Sequence, residues 1–117
     1  DKESLREDIK LHLRHTLAKD EYSTTNWDKY KSVALTIMDR LNDRMLKTQQ
    51  HYYKTDAKRV YYLSMEYLIG RLMDNMLVNL DVRDVVAEAL GEVDLSYEDI
   101  RDQEWDAGLG NGGLGRL

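Results

Sequence analysis

The sequence predicts a mainly α-helical chain carrying one buried β-strand, and three observations support that expectation. Proline is absent from all 117 residues, so helices never meet the residue that most often breaks them. Apolar side chains recur at three- and four-residue spacings along most of the chain, which is the repeat of an amphipathic helix. One run, Val60-Tyr61-Tyr62-Leu63, instead joins β-branched and aromatic residues without alternation, as in a strand covered on both faces.

Taken in order, Ser4 followed by Glu7 matches a capping box, and Leu5, Ile9, Leu13 and Leu17 form one stripe, predicting a helix over 4–19. Residues 20–26 are polar and rich in side chains that bond their own backbone, so they read as a connector ending in a helix cap. From Trp27 to Thr55 neither glycine nor proline intervenes, and Tyr30, Ala34, Ile37, Leu41, Met45 and Thr48 approach a heptad. A helix over 27–55 reaches roughly 45 Å, more than one small core covers, so part of it is expected to pack on further chain or on a second subunit. The strand is expected over 59–66, and its missing ladder partners must come from sequence outside this chain. Leu68, Ile69, Leu72, Met73, Met76, Leu77 and Leu80 fall at three- and four-residue spacings and predict a largely buried helix, placed over 70–80. Asp81 is expected to cap another over 81–91, closed by Gly91 in a left-handed conformation. A short helix over 96–104 opens at Ser96, and its acidic run from Glu98 to Asp106 reads as a solvated face.

Five of the seven glycines fall within the last ten residues, in a loop over 106–115. Glycines at 108, 110, 112, 113 and 115 leave backbone N–H groups unshielded, so an anion can approach the main chain closely. A helix normally follows such a loop and completes the cradle; none follows here, so the chain reads as a fragment with no second domain. The stretch contains two literal matches to G-x-G-x-x-G, but both follow helix and turn rather than strand, which weakens a dinucleotide reading. The composition also allows a flexible linker. Glu66, at the expected carboxyl end of the strand, either faces a ligand site or pairs with Arg71. Gln49, Gln50 and Tyr53 close the long helix with groups able to bind a nucleotide or a sugar, or simply to pack and solvate a helix end.

A net charge of −5 with interspersed signs argues against a nucleic-acid surface. No apolar run reaches the roughly 18 residues of a membrane span. The chain has no cysteine, which excludes disulfides and thiolate metal sites and fits a reducing compartment. His12, His15 and His51 offer no metal-binding spacing, and the first two are expected on the solvated side of helix one.

Lys47-Thr-Gln-Gln-His-Tyr-Tyr53, Val60-Tyr-Tyr-Leu-Ser-Met-Glu-Tyr-Leu-Ile-Gly-Arg71 and Asp106 through Leu117 together closely resemble the N-terminal region of glycogen and other α-1,4-glucan phosphorylases, over nearly the whole chain. The resemblance implies the N-terminal part of a two-lobed α/β glycosyltransferase fold of the GT-B type, in a cytoplasmic homodimer. It implies retaining phosphorolysis of an α-1,4-glucan by inorganic phosphate, releasing glucose 1-phosphate from non-reducing ends. The implied cofactor is pyridoxal 5′-phosphate, held by a lysine outside this chain, and the fragment alone is expected to be inactive. By the same likeness the Gly113 main chain lies at the substrate phosphate, the Leu114 amide faces the glucosyl unit, Asn111 and Gly112 shape the loop, Gly112 and Gly113 meet the cofactor, and Glu66 lines the pocket.

In regulated members an AMP site spans the subunit interface. Gln49, Gln50 and Tyr53 match its helix side, and Asp20 matches the connector of the other subunit. Met45 stands where regulated animal enzymes carry tryptophan, which weakens nucleotide stacking. Leu68 replaces a tyrosine near the cofactor, and Ser4, set among acids, lacks the basic surroundings of an animal-type phosphorylation site. The competing expectation from another class is a noncatalytic helical dimerisation module with a glycine-rich linker. A weaker third is a nucleotide-binding domain.

Overall fold

The computed structural model describes residues 1–64 and 70–107. Helix α1, Lys2–Leu11, begins one turn earlier than the Ser4 motif predicts, because the Asp1 carboxylate caps it by accepting from the Glu3 N–H at 3.0 Å. Lys2 and Glu3 are good helix formers, so nothing stops the helix short of that cap. Ser4 is left inside it and accepts from Arg40 Nη2 at 3.2 Å.

The α-helical repeat also ends sooner than expected. His12–Thr16 forms a π-helical turn in which the Leu17 N–H donates to the His12 carbonyl at 2.9 Å. Ala18, at φ +52°, then turns the chain out of the helix. His12 is not solvated: its ring nitrogens meet Thr16 Oγ1 at 2.9 Å and Asp39 Oδ2 at 2.8 Å, fastening this turn to the next helix.

Helix α2 runs Asn26–Lys54 and opens on a reciprocal capping box. The Asp28 N–H donates to Thr25 Oγ1 at 3.2 Å, and the Thr25 N–H donates to Asp28 Oδ2 at 3.0 Å. Those bonds to Thr25, ahead of the nearby Lys19 and Lys31 charges, hold the Asp28 carboxyl below its ordinary pKa. Only the first half of α2 is buried, through Ser32, Val33, Thr36 and Ile37. Every residue from 42 to 54 is exposed, so the second half projects beyond the core.

Val60, Tyr61, Tyr62 and Leu63 are 87, 76, 89 and 92% exposed and belong to no regular element. The expected buried strand is therefore absent over 59–64, while 65 and 66 lie outside the described residues. A strand exists through ladder bonds to a neighbour, and the described residues supply no neighbour.

Three short helices complete the core. The helix expected over 70–80 is shorter, α3 at Met73–Asn79. The next, α4, runs Arg83–Gly91 and is capped at Val82 rather than Asp81. Asp81 and Asp94 take the left-handed positions, at φ +56° and +58°, whereas Gly91 remains helical. Helix α5, Tyr97–Asp102, opens on Ser96, whose side chain accepts from the Asp99 N–H. Leu5 and Ile9 of α1, Val33 and Ile37 of α2, Leu77 of α3, Val86 and Leu90 of α4 and Ile100 of α5 close one core, each below 5% exposed.

Candidate functional site

The segment carrying Glu66 and the glycine loop are separated by some forty residues of sequence, and two described residues tie their edges together. Gly70 and Ala107 form an isolated antiparallel bridge, with Gly70 N–H to the Ala107 carbonyl at 3.0 Å and Ala107 N–H to the Gly70 carbonyl at 3.3 Å. Gly70 lies at φ +97°, a conformation that L side chains rarely adopt.

Glutamate 104 sits beside this bridge. Its carboxylate accepts from the Leu72 N–H at 2.7 Å and from the Met73 N–H at 3.0 Å, satisfying two amides that open α3. Arg71 adds ion pairs to Asp102 at 3.1 Å and Asp106 at 3.5 Å. The acidic run is thus only partly a solvated face, since Glu104, Asp102 and Asp106 grip the strip from Gly70 to Met73. Arg71 therefore has partners in the acidic run. Glu66 itself, with Asn111, Gly112, Gly113 and Leu114, lies outside the described residues.

An apolar groove of about 210 Å³ runs beside Glu104 between α2 and α3, lined by Tyr30, Ala34, Met38, Leu41, Leu72 and Met76 among others. Burial, and then the Glu104 charge, raise the Tyr30 phenol above its ordinary pKa. Trp27 stacks on Tyr30 and on Trp105, with ring centroids 5.0 and 5.2 Å away, joining the start of α2 to the chain just before Ala107.

The residues matched to the effector site are exposed at the far end of α2. Met45, Gln49 and Tyr53 follow one another at four-residue steps and so share a face, with Gln50 beside them. Gln49 Oε1 accepts from Arg59 Nη1 at 3.0 Å, while the same guanidinium lies 5.6 Å above the Tyr52 ring. With Lys47, His51, Lys54 and Lys58 nearby in sequence, this end of an acidic chain is locally basic.

Asp20 sits in the connector before α2. It accepts from the Ser23 N–H at 2.8 Å, from Ser23 Oγ at 2.7 Å and from the Tyr22 N–H at 3.1 Å. The Ser23 hydroxyl is the first cause of its lowered pKa. At 1.5 Å per residue, Asn26 and Gln49 are about 35 Å apart along α2, so one copy of the chain does not bring Asp20 to Gln49, Gln50 and Tyr53.

Sequence reasoning missed Glu104, Gly70 and Arg59. Glu104 is hidden in a charge run, and its partners stand 31 and 32 positions away. Gly70 is an isolated glycine, and the signal that singles it out is its place at the boundary of two motifs. Among the described residues no cluster of His, Cys, Asp and Glu is arranged to hold a metal ion, and no helix is long and apolar enough to cross a membrane.

No protein-family model matches the chain. Curated relatives do. The muscle form of glycogen phosphorylase from Ovis aries is 47% identical over 113 residues, 97% of this chain. The human muscle form is 46% identical and the human brain form 45% identical over the same length. The chain spans 13% of the length of these relatives.

Proposed function

The chain belongs to the glycogen phosphorylase family, and from that premise we propose that it contributes the glycine-rich phosphate loop of an α-1,4-glucan phosphorylase. The observation that carries this reading is 47% identity across 97% of the chain. The whole enzyme would have the two-lobed α/β fold, work as a cytoplasmic homodimer, and release glucose 1-phosphate by retaining phosphorolysis.

Phosphorolysis develops positive charge at the sugar and needs a phosphate anion held against it. In this reading the main-chain N–H groups around Gly112 and Gly113 bind phosphate, because any side chain there would displace the anion from the backbone. Asn111 shapes the loop, the Leu114 amide orients the glucosyl unit, and Glu66 lines the pocket. By the family likeness the lysine that holds pyridoxal 5′-phosphate lies outside this chain, and the groups of this chain that would meet the cofactor are the main chain of Gly112 and Gly113. When bound, the cofactor brings a second phosphate group to the site.

Substitution of Gly113 by valine in the complete enzyme tests the proposal: phosphorolysis should be abolished while the dimer persists. Unchanged activity would instead favour a noncatalytic dimerisation module with a glycine-rich linker. The 117-residue chain by itself should give no glucose 1-phosphate from glucan and phosphate, since it lacks the cofactor lysine and the second lobe. Asp20 from one subunit and Gln49, Gln50 and Tyr53 from the other form the effector site in this reading.

A further inference from the structure

We infer that residues 59–63 form an interaction surface whose partner is a second copy of this chain, the two runs pairing as antiparallel strands about a two-fold axis at Tyr61. The inference does not depend on the phosphate-loop reading. Val60, Tyr61, Tyr62 and Leu63 are each at least 76% exposed, and none of them shares a backbone hydrogen bond with another described residue. Main-chain donors and acceptors are thus presented beside large β-forming side chains, the combination that templates pairing with another chain. Neither proline nor glycine interrupts the run. It follows the projecting half of α2, where every residue from 42 to 54 is exposed, so the helical core does not cover it.

Symmetry and charge select the arrangement. Two identical antiparallel strands related by a two-fold axis must set one residue opposite its own copy. Centred on Tyr61, the pairing places Tyr61 against Tyr61 and, twice, Val60 against Tyr62 of the other copy. Aromatic pairs and aromatic with β-branched pairs are both favourable across strands. Arg59 then faces Leu63, and the two Arg59 residues stand roughly 14 Å apart along the ladder. A parallel pair in register would instead stack Lys58 on Lys58 and Arg59 on Arg59 at about 4.8 Å, opposing like charges. The Arg59 guanidinium is already turned back to Gln49 Oε1 and the Tyr52 ring of its own copy, which leaves its backbone to pair.

Sedimentation of the 117-residue chain should show its mass rising from 13.7 kDa toward twice that value between about 10 μM and 1 mM, the range of a small, weak interface. Tyr61→Lys sets like charges against each other at the axis and should weaken association about tenfold. Met45→Glu, on the exposed half of α2, should leave it unchanged. Both positions lie outside the core, so circular dichroism should report the same helix content for the two variants as for the parent chain. The chain has no cysteine, and single replacements therefore read the register directly. In air, Tyr61→Cys should give a disulfide-linked dimer. Tyr62→Cys should give none, because its two copies stand two positions out of register, beyond the roughly 7 Å that a disulfide spans.

A monomer at every concentration would overturn the interface. Association that is lost with Met45→Glu and untouched by Tyr61→Lys would move the contact to α2 and overturn its assignment to residues 59–63. A linked dimer from Tyr62→Cys, or none from Tyr61→Cys, would overturn the axis at Tyr61, and linkage by both would mean a parallel pair in register.

Discussion

Leu77→Ala and Leu46→Ala make the same chemical change at the two extremes of burial, and their comparison tests where the core ends. Leu77 is 0% exposed and joins α3 to the core, while Leu46 is 55% exposed on the projecting half of α2. Truncation of Leu77 removes three buried carbons at about 0.8 kcal/mol each, and the residual cavity raises the expected cost to about 3 kcal/mol. With an unfolding entropy near 2.1 cal/mol/K per residue over this length, the melting temperature should fall by roughly 12 °C. Leu46 has less than half of its surface to return to water, and alanine is the better helix former, so its shift should lie within about 2 °C. Thermal melts of the two variants followed by circular dichroism measure both. Equal shifts would refute the partition of α2 into a buried and a projecting half. A drop of only a few degrees for Leu77→Ala would show that the α3 contact is not part of a cooperative core.

Three further outcomes follow from the geometry. Ala18 occupies a left-handed position at φ +52°, so Ala18→Gly should raise stability by about 1 kcal/mol, and a lowered denaturation midpoint would contradict that strain. Asp20, Asp28, Asp74 and Glu92 all have folded-state pKa values below their ordinary 3.8 or 4.5; the unfolded chain therefore binds more protons, and this stabilisation is complete above those ordinary values and lost as pH falls through the lower folded ones. The melting temperature should accordingly decline below about pH 4.5, and a flat profile into strong acid would show that these carboxylates do not contribute. AMP should activate the complete enzyme weakly or not at all, because Met45 offers no indole on the face shared with Gln49 and Tyr53; strong activation in a phosphorolysis assay would refute that step.

What the sequence made legible was periodic and local. Leu5 and Ile9 repeat at helical spacing and are both buried, and the uninterrupted stretch after Thr25 is one helix of 29 residues. Boundaries were harder because several residues compete for each of them. Ser4 has the motif of a cap, but Asp1 lies one turn earlier with helix formers between. Gly91 was expected in a left-handed closure, yet glycine is equally able to stay helical, and Asp94, whose short polar side chain tolerates that region, turns the chain instead. Val60 to Leu63 has strand composition and no strand, since pairing is a property of two segments and composition of one. Glu104 was illegible for a related reason: local sequence shows an acidic neighbourhood, whereas its bonds cross to Leu72 and Met73 at the other end of the short-helix unit.

Helix α2 is divided by burial, and in the proposed reading the two halves also serve different sites. Its first half, from Asp28 to Ile37, carries the buried contacts that hold α1 and α5, and through Trp27 and Trp105 it reaches the chain leading to the glycine loop. Its second half carries Gln49, Gln50 and Tyr53 in solvent, about 35 Å from the connector with Asp20. If the effector site uses residues from both ends, no single copy can build it, while the proposed phosphate loop is one continuous stretch of a single chain. Weakening the dimer should therefore abolish any response to a nucleotide before it changes the affinity for phosphate. Loss of both together on dilution of the complete enzyme would mean that phosphate binding, too, depends on the partner.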